Sequence, residues 1–520
     1  MVDVLIIEPM YAEVDAGETL IRKEAVFTSG SPVYLREPIA AEYIAGYLNF
    51  KGISANIIQQ TSTDNNQVFD KITEEKPKIL GISIHSTHMV PDALTLVNEI
   101  KDKFQDLIIV CGGGHVTGSP EMIKEKNIDY AVIGEGEEAL YKLSLLILKD
   151  NGTKKENIEG LIYKDLENNV HKVPPKRFDF TQKFLPIRQR DILERVKSAP
   201  LSYPTPLEQK GVAQVAYSRG CCYHCEFCVS PIVFPGKVIW RDPDDVVKEL
   251  EGLKKEFKTN FVFFNDLTFN HSIKKAEALC NRLIEAELGI NWFAYTNVHL
   301  KESLVKKMAV AGCTRIGMRA ESLTDTILKN MKPQQHFANI RNSLELTNKY
   351  GILTRVYFML GSPEETKENL SETLQIMKTL PIDQPRLAFI TPFPGTKFYE
   401  ETKDKLTTND LRMFSGDSPV VRNPNISPAE YINIRDEMLK SYYSSDEYFS
   451  HVMGKIKDHP HLNRSFDYFF KYLLDKKIIE DKTYSRAVDG LDVQKVSITG
   501  FSTIKRGDIT LKTEPTKKKV

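Results

Sequence analysis

The sequence predicts an α/β chain in three parts: a Rossmann-like or flavodoxin-like layer, a partial (β/α)6 barrel of the TIM type, and a mainly helical end. Three observations predict it. Residues 1–150 alternate short apolar runs with amphipathic stretches, the pattern of βαβ units around a parallel sheet. The alternation restarts at Val212 with six further strand candidates, and the last part is helix-patterned and rich in Tyr and Phe. With 520 residues and a soft prior of ~150 per domain, about three units are expected. Their expected bounds are 1–150, a linker at 151–210, a barrel at 211–402, and a helical region with a basic tail at 403–520.

In the first unit the strand candidates are "VDVLIIE", "ISANII", "KILGISIHS", "DLIIVCGGG" and "YAVIGEG". Helix-like stretches lie between them, including "IAAEYIAGYLNFKG", closed by Gly52, and "PDALTLVNEIKDKF". An open sheet of this kind binds its ligand beyond the carboxyl ends of the strands. The loops there read "SIHSTHMV", "GGGHVTGSP" and "GEGEEA", with glycines for close approach and Ser83, Ser86, Thr87 and Thr117 as hydrogen-bond donors. From the residues alone they suit a ligand or ordinary turn chemistry equally. The stretch "VPPKRFDFTQKFLPIRQRDILERVKSAPLSYPTPLEQ" is rich in proline and charge without a sustained period, hence the linker. The barrel strands are "VAQVAYS", "FVFFND", "INWFAYTN", "RIGMRAES", "TRVYFMLGS" and "RLAFITP", and barrel chemistry belongs at their carboxyl ends.

Seventy basic and seventy acidic residues cancel, which makes no electrostatic case for nucleic acid or an anionic membrane as a partner. Lys517, Lys518 and Lys519 are expected to form a frayed tail. The N-terminal run lacks a basic segment and is not expected to be a signal peptide, and no apolar run reaches membrane-span length. Seven cysteines, most of them in one cluster, fit metal binding in a reduced cytoplasm rather than a disulfide framework.

That cluster is "YSRGCCYHCEFCVSP", residues 217–231. A zinc site normally takes two short-spaced pairs separated by a longer loop, and no second pair follows here. The spacing Cys221-x3-Cys225-x2-Cys228 instead offers three thiolates from one loop after the first barrel strand. Three thiolates hold a 4Fe–4S cluster while leaving one iron open, whereas electron-transfer clusters normally have four. Cys222 and His224 are bystanders by spacing.

The CxxxCxxC pattern, with Phe227 as the aromatic before the last cysteine and "SRGC" ahead of it, resembles the radical S-adenosylmethionine (SAM) enzymes. The resemblance implies that the open iron chelates SAM and that reductive cleavage releases a 5′-deoxyadenosyl radical. It extends to "FFNDLTFN", "IGMRAES", "FMLGSPEET" and "ITPFPGT", so Phe227, Asp266, Glu321, Ser322 and Gly361 are the implied SAM contacts. Two positions depart from the family pattern: Arg319 stands where a small residue is expected, and Leu323 where a glycine is. By strand alternation Arg319 and Glu321 share a face.

An α/β layer ahead of such a barrel resembles the cobalamin-binding subclass, as do "LREPIAAEYIAGYL", "VCGGGHVTGSPE", "DYAVIGEGEEAL" and "LPIRQRDIL". Ser83, Thr87, Gly112, Gly113, Gly134 and Glu135 would then line a corrinoid pocket. No DxHxxG pattern supplies a cobalt-ligating histidine, and His85, His88 and His115 are expected as loop hydrogen-bonders or surface residues. The resemblance implies a methyltransferase that uses methylcobalamin and the deoxyadenosyl radical on an unactivated carbon of a natural product, lipid or peptide. It also implies an electron donor such as flavodoxin or ferredoxin. Within the subclass the alternatives are cyclisation, ring contraction or oxidation, and a more distant one is a non-catalytic corrinoid-binding protein with structural zinc.

Overall fold

The computed structural model describes residues 1–10, 37–61, 64–149, 152–193, 211–324, 335–489 and 491. Lys517, Lys518 and Lys519, and the latter part of the expected linker, lie outside the described residues. The first unit contains β1 (Val4–Glu8), β2 (Ala55–Gln59), β3 (Ile79–Ser83), β4 (Ile108–Gly112) and β5 (Tyr130–Val132). All five are parallel, in the order β2-β1-β3-β4-β5, which is the flavodoxin-like order of the two considered. Their near-continuous burial explains why the sequence shows apolar runs rather than alternation.

The sheet does not stop at residue 150. β6 (Leu161–Lys164) and β7 (Val170–Lys172) form a hairpin that joins antiparallel to β5. The stretch expected to be a linker therefore begins as the edge of this sheet.

The second unit has β8 (Val212–Val215), a short antiparallel pair β9 (Ser218–Arg219) and β10 (Ile239–Trp240), then β11 (Phe261–Phe264), β12 (Asn291–Thr296), β13 (Cys313–Glu321), β14 (Leu353–Leu360) and β15 (Gln384–Phe389). β8 and β11 to β15 form one parallel sheet in sequence order, as six consecutive βα units require. Side chains of one parity, such as Val262, Ile316, Met318 and Val356, enter a core with the surrounding helices. Those of the other parity, Val212, Phe261, Phe263 and Phe293, belong to a cluster with Val4, Ile6 and Ile57 of the first unit and Ile192 of the connecting segment. The two units thus share a core.

Buried charge reinforces this interface. Arg188 of the connecting segment donates to Glu37 (2.8 Å) and Glu42 (2.6 Å) of the first unit, and to Glu249 (2.8 Å) and the Gln214 carbonyl (2.7 Å) of the second. Burial raises the Glu42 carboxyl well above the usual carboxylate range. A Cβ on Gly395, in the loop after β15, would lie 2.6 Å from the Gly118 carbonyl, so only two glycines permit the backbones to meet there.

The C-terminal helices Pro428–Tyr443, Asp446–Asp458, Asn463–Asp475 and Asp481–Asp489 pack onto the barrel. Tyr431, Tyr442, Tyr443 and Tyr448 are buried there. The Tyr442 and Tyr448 hydroxyls donate to the carbonyls of Ile382 and Asp383. These aromatics serve the core of a helical cap. Among the described residues no helix is long and apolar enough to cross a membrane.

Candidate functional site

A cavity of about 400 Å³ lies where the carboxyl ends of the first sheet face the barrel. Its size is within the range of small-molecule and cofactor sites. The β1/β3 switch point contributes Ile6, Ile82 and Ser83, and the loops after β4 and β5 contribute Gly112, Gly113, Gly134 and Glu135. Across from them lie Ser218, Arg219 and Gly220, which launch the cysteine loop, and Val229, Ser230, Val233 and Phe234, which follow it.

Five of the six residues expected at a corrinoid pocket therefore line one cavity. Thr87 does not: the short helical turn Thr87–Met89 buries it, and its hydroxyl lies 3.1 Å from His115 Nδ1. Gly113 has φ +110°, and a Cβ there would lie 2.5 Å from the Ile84 carbonyl, so the wall is bare backbone. A wall of glycine and apolar residues at a switch point fits a large flat ring. Among the histidines, His85 lines the cavity. His88 and His115 are held neutral by burial, which lowers each to about 4, and they bond to Ser86 and Thr87.

The cysteine loop leaves β9 and returns at β10. Cys221, Cys225 and Cys228 form no disulfide and are half-buried, and the Cys228 amide donates to the Cys225 carbonyl (3.0 Å), placing both on one turn. The Ser230 amide donates to Cys228 Sγ (3.4 Å). Cys222 is turned elsewhere: its Sγ lies 3.0 Å from His271 Nδ1, and Trp240 stacks on that imidazole. Among the described residues no three His, Cys, Asp or Glu side chains are grouped as ligands of a single metal ion. The three cysteines come from one loop, and three thiolates as a donor set fit iron–sulfur chemistry.

Several contacts fix the loop. Asn297 Nδ2 donates to the Tyr223 hydroxyl (2.8 Å), and the Phe398 amide donates to the Glu226 carbonyl (3.0 Å). Asp266, at the end of β11, accepts from the Tyr217 amide (3.1 Å) and the Ser218 hydroxyl. Burial pushes its carboxyl up to about 6. With both oxygens engaged, Asp266 braces the strand that launches the loop, a role its position as an expected SAM contact did not suggest.

The other expected SAM contacts, Phe227 apart, sit at barrel strand ends. Phe227 is half-buried within the loop, and Ser322 is buried with its hydroxyl 3.2 Å from that of Thr324. Glu321 is buried with φ +63°, a conformation that costs a non-glycine residue energy. The β13–β14 register slips between Arg319 and Glu321, so simple alternation does not relate these two residues. Arg319 instead lies 5.0 Å over the Tyr295 ring.

Gly361, φ +90°, donates its amide to Glu365 Oε2 (2.8 Å). Glu365 is buried beneath Tyr431 and Asn423 of the C-terminal part, and burial raises its carboxyl to about 7. The folded state therefore retains a proton between the ordinary value of 4.5 and about 7 that the unfolded chain has lost. Stability falls as pH rises through that window, by about 3 kcal/mol once fully ionised. Glu365→Gln keeps an acceptor without the charge. Denaturant titration of the apoprotein at pH 5 and pH 8 should show wild type losing on the order of 2–3 kcal/mol more than the variant. Equal losses would contradict this.

Sequence reasoning missed the residues that join the two halves of the site, Arg177, Arg219 and Glu137. Arg219 Nη1 donates to Glu137 (2.5 Å) and Glu135 (3.4 Å). Arg177 Nε donates to Glu135 (2.7 Å). Arg219 was visible within "SRGC", but its partners lie more than 80 positions away.

Comparison with known proteins agrees with this geometry. Residues 29–144 match the model of the B12 binding domain, and residues 215–377 match that of the radical SAM superfamily. An uncharacterized methyltransferase of Pyrococcus horikoshii is 28% identical over 433 residues, covering 81% of this chain and 89% of the relative. The anaerobic magnesium-protoporphyrin IX monomethyl ester cyclase of Rubrivivax gelatinosus is 26% identical, covering 81% and 76%. Among solved structures, the radical SAM methyltransferase TsrM of Kitasatospora setae, with cobalamin and a [4Fe-4S] cluster bound, superposes with TM-score 0.62 at 20% identity, covering 84% of this chain and 85% of that one.

Proposed function

Because the chain belongs to the cobalamin-binding radical SAM enzymes, we propose that it transfers a methyl group to an unactivated carbon of a small molecule or peptide. The observation that carries this reading is the shared cavity. One wall is the glycine-lined switch point, and the opposite wall is made by the stems of the cysteine loop. Bound together, the groups supply a radical generator and a methyl carrier, the pair needed at a carbon with no lone pair for polar methylation.

The chain's own residues would hold these groups in register. Cys221, Cys225 and Cys228 would carry the cluster, leaving one iron for SAM. Ser83, Gly112, Gly113 and Gly134 would face the corrinoid. Phe227, Glu321, Ser322 and Gly361 would bound SAM, with Asp266 bracing the loop from beneath.

Methylation is favoured over cyclisation because the P. horikoshii methyltransferase aligns over more of its own length than the R. gelatinosus cyclase does, 89% against 76%. The test is anaerobic incubation of reconstituted protein with SAM deuterated at its methyl group, cobalamin, a flavodoxin-type reductant and host extract. The expected result is a +3 Da product together with 5′-deoxyadenosine. Deoxyadenosine with an unlabelled product would replace methylation with cyclisation, ring contraction or oxidation.

A further inference from the structure

The cysteine loop is a long excursion that begins after Arg219 and returns at Ile239, which pairs with Arg219 across β9 and β10. Its two stems are held by a residue from a third segment. Arg177 Nη2 donates to the Arg219 carbonyl (3.3 Å), while Nη1 donates to the carbonyls of Lys237 (2.8 Å) and Pro235 (3.2 Å). The remaining donor of the same guanidinium, Nε, reaches Glu135 on the cavity wall (2.7 Å). One planar fork thus ties both ends of the loop to each other and to the opposite wall of the cavity.

Glu135 also accepts from the Phe178 amide (3.0 Å) and from Arg219, whose guanidinium pairs with Glu137 and lies 4.1 Å over the Phe180 ring. Two cations and two carboxylates close a neutral group. The carboxylate side chains are 2% and 3% exposed and the arginines 16% and 13%, so bulk salt screens the group little. Glu135 and Glu137 come from the first unit, Arg219 from the second, and Arg177 from the segment between.

We infer that Arg177, acting through Glu135 and the loop stems, is a positioning residue that sets the spacing between the cluster and the corrinoid. The inference rests on the two-cofactor reading above. Its physical reason is geometric: chemistry shared between groups on two domains is lost with misplacements of about 1 Å. A flexible loop docked only at its tip would not hold that tolerance. Arginine suits the task because its rigid donors serve a carboxylate and several carbonyls at once, which an ammonium does not.

The test is pulsed electron–electron double resonance on reconstituted, reduced protein holding both cob(II)alamin and the cluster. Wild type should give one narrow distance. Arg177→Gln and Arg177→Lys, each checked for full iron and cobalamin content, should shift the mean by about 1 Å or more, or roughly double the width. Glu137→Gln, which loosens the Arg219 side, should broaden the distance as well and serves if Arg177→Gln does not hold its cluster. Glue between domains alone would lower the unfolding midpoint and leave the distance of the loaded protein unchanged. An unchanged distribution in all loaded variants therefore overturns the inference, while wild type lacking iron or cobalamin overturns the two-cofactor reading beneath it.

Discussion

Cys225→Ala is expected to abolish the cluster: iron should fall from ~4 per chain to a small fraction of that, absorbance near 400 nm should vanish, and no 5′-deoxyadenosine should form. Cys221→Ala and Cys228→Ala should behave alike, because a cluster left with two thiolates has a second labile iron. Cys222→Ala should keep iron and deoxyadenosine within about twofold of wild type. The spacing motivates this contrast, and the structure gives it a cause, since the Cys222 sulfur faces His271 beneath Trp240 rather than its neighbouring cysteines. Iron analysis of the four variants reads it directly. Loss of the cluster in Cys222→Ala together with retention in Cys225→Ala would reverse the ligand assignment.

The second large effect lies far from the chemistry. Lys455 on the helix Asp446–Asp458 is fully buried and donates to Asp383 (2.6 Å) and to the Ile352 carbonyl (3.0 Å). Asp383 also accepts from the Thr354 amide (2.7 Å) and meets His451 (2.9 Å). Burial alone would raise the Asp383 carboxyl, but Lys455 and His451 outweigh it and hold it at about 2. Lys455→Met leaves that carboxylate buried with its main counter-charge gone, at a cost of about 3–5 kcal/mol. Denaturant unfolding should register the loss at pH 7. A change below about 1 kcal/mol would mean that the buried Lys455–Asp383 pair adds little to stability.

The sequence made the scaffold legible because parallel strands between helices must be apolar on both faces. The six barrel candidates, "VAQVAYS" to "RLAFITP", therefore coincide with β8 and β11 to β15. β7 escaped notice because all three of its residues are exposed, so no buried face leaves a period to read. The cavity glycines were legible because Gly113 needs a positive φ at a strand end. Thr87 and Asp266 have suitable chemistry at suitable places, but their bonds to His115 and to the strand before the loop leave no trace in the sequence. The register slip between Arg319 and Glu321 was not legible from strand alternation. Arg177 was the least legible, since its four bonds span 42 to 60 positions and nothing near it in sequence points to them.

The measurement that bears most directly on the paired sites is metal and corrinoid content in one sample. Wild-type protein is reconstituted anaerobically with iron, sulfide and hydroxocobalamin, desalted, and assayed for iron, zinc and cobalt. A cluster loop facing a corrinoid cavity should yield ~4 irons and about one cobalt per chain, with 5′-deoxyadenosine released on adding SAM and reductant. One tightly held zinc with no iron, or a full cluster with no retained cobalt, would contradict the paired site.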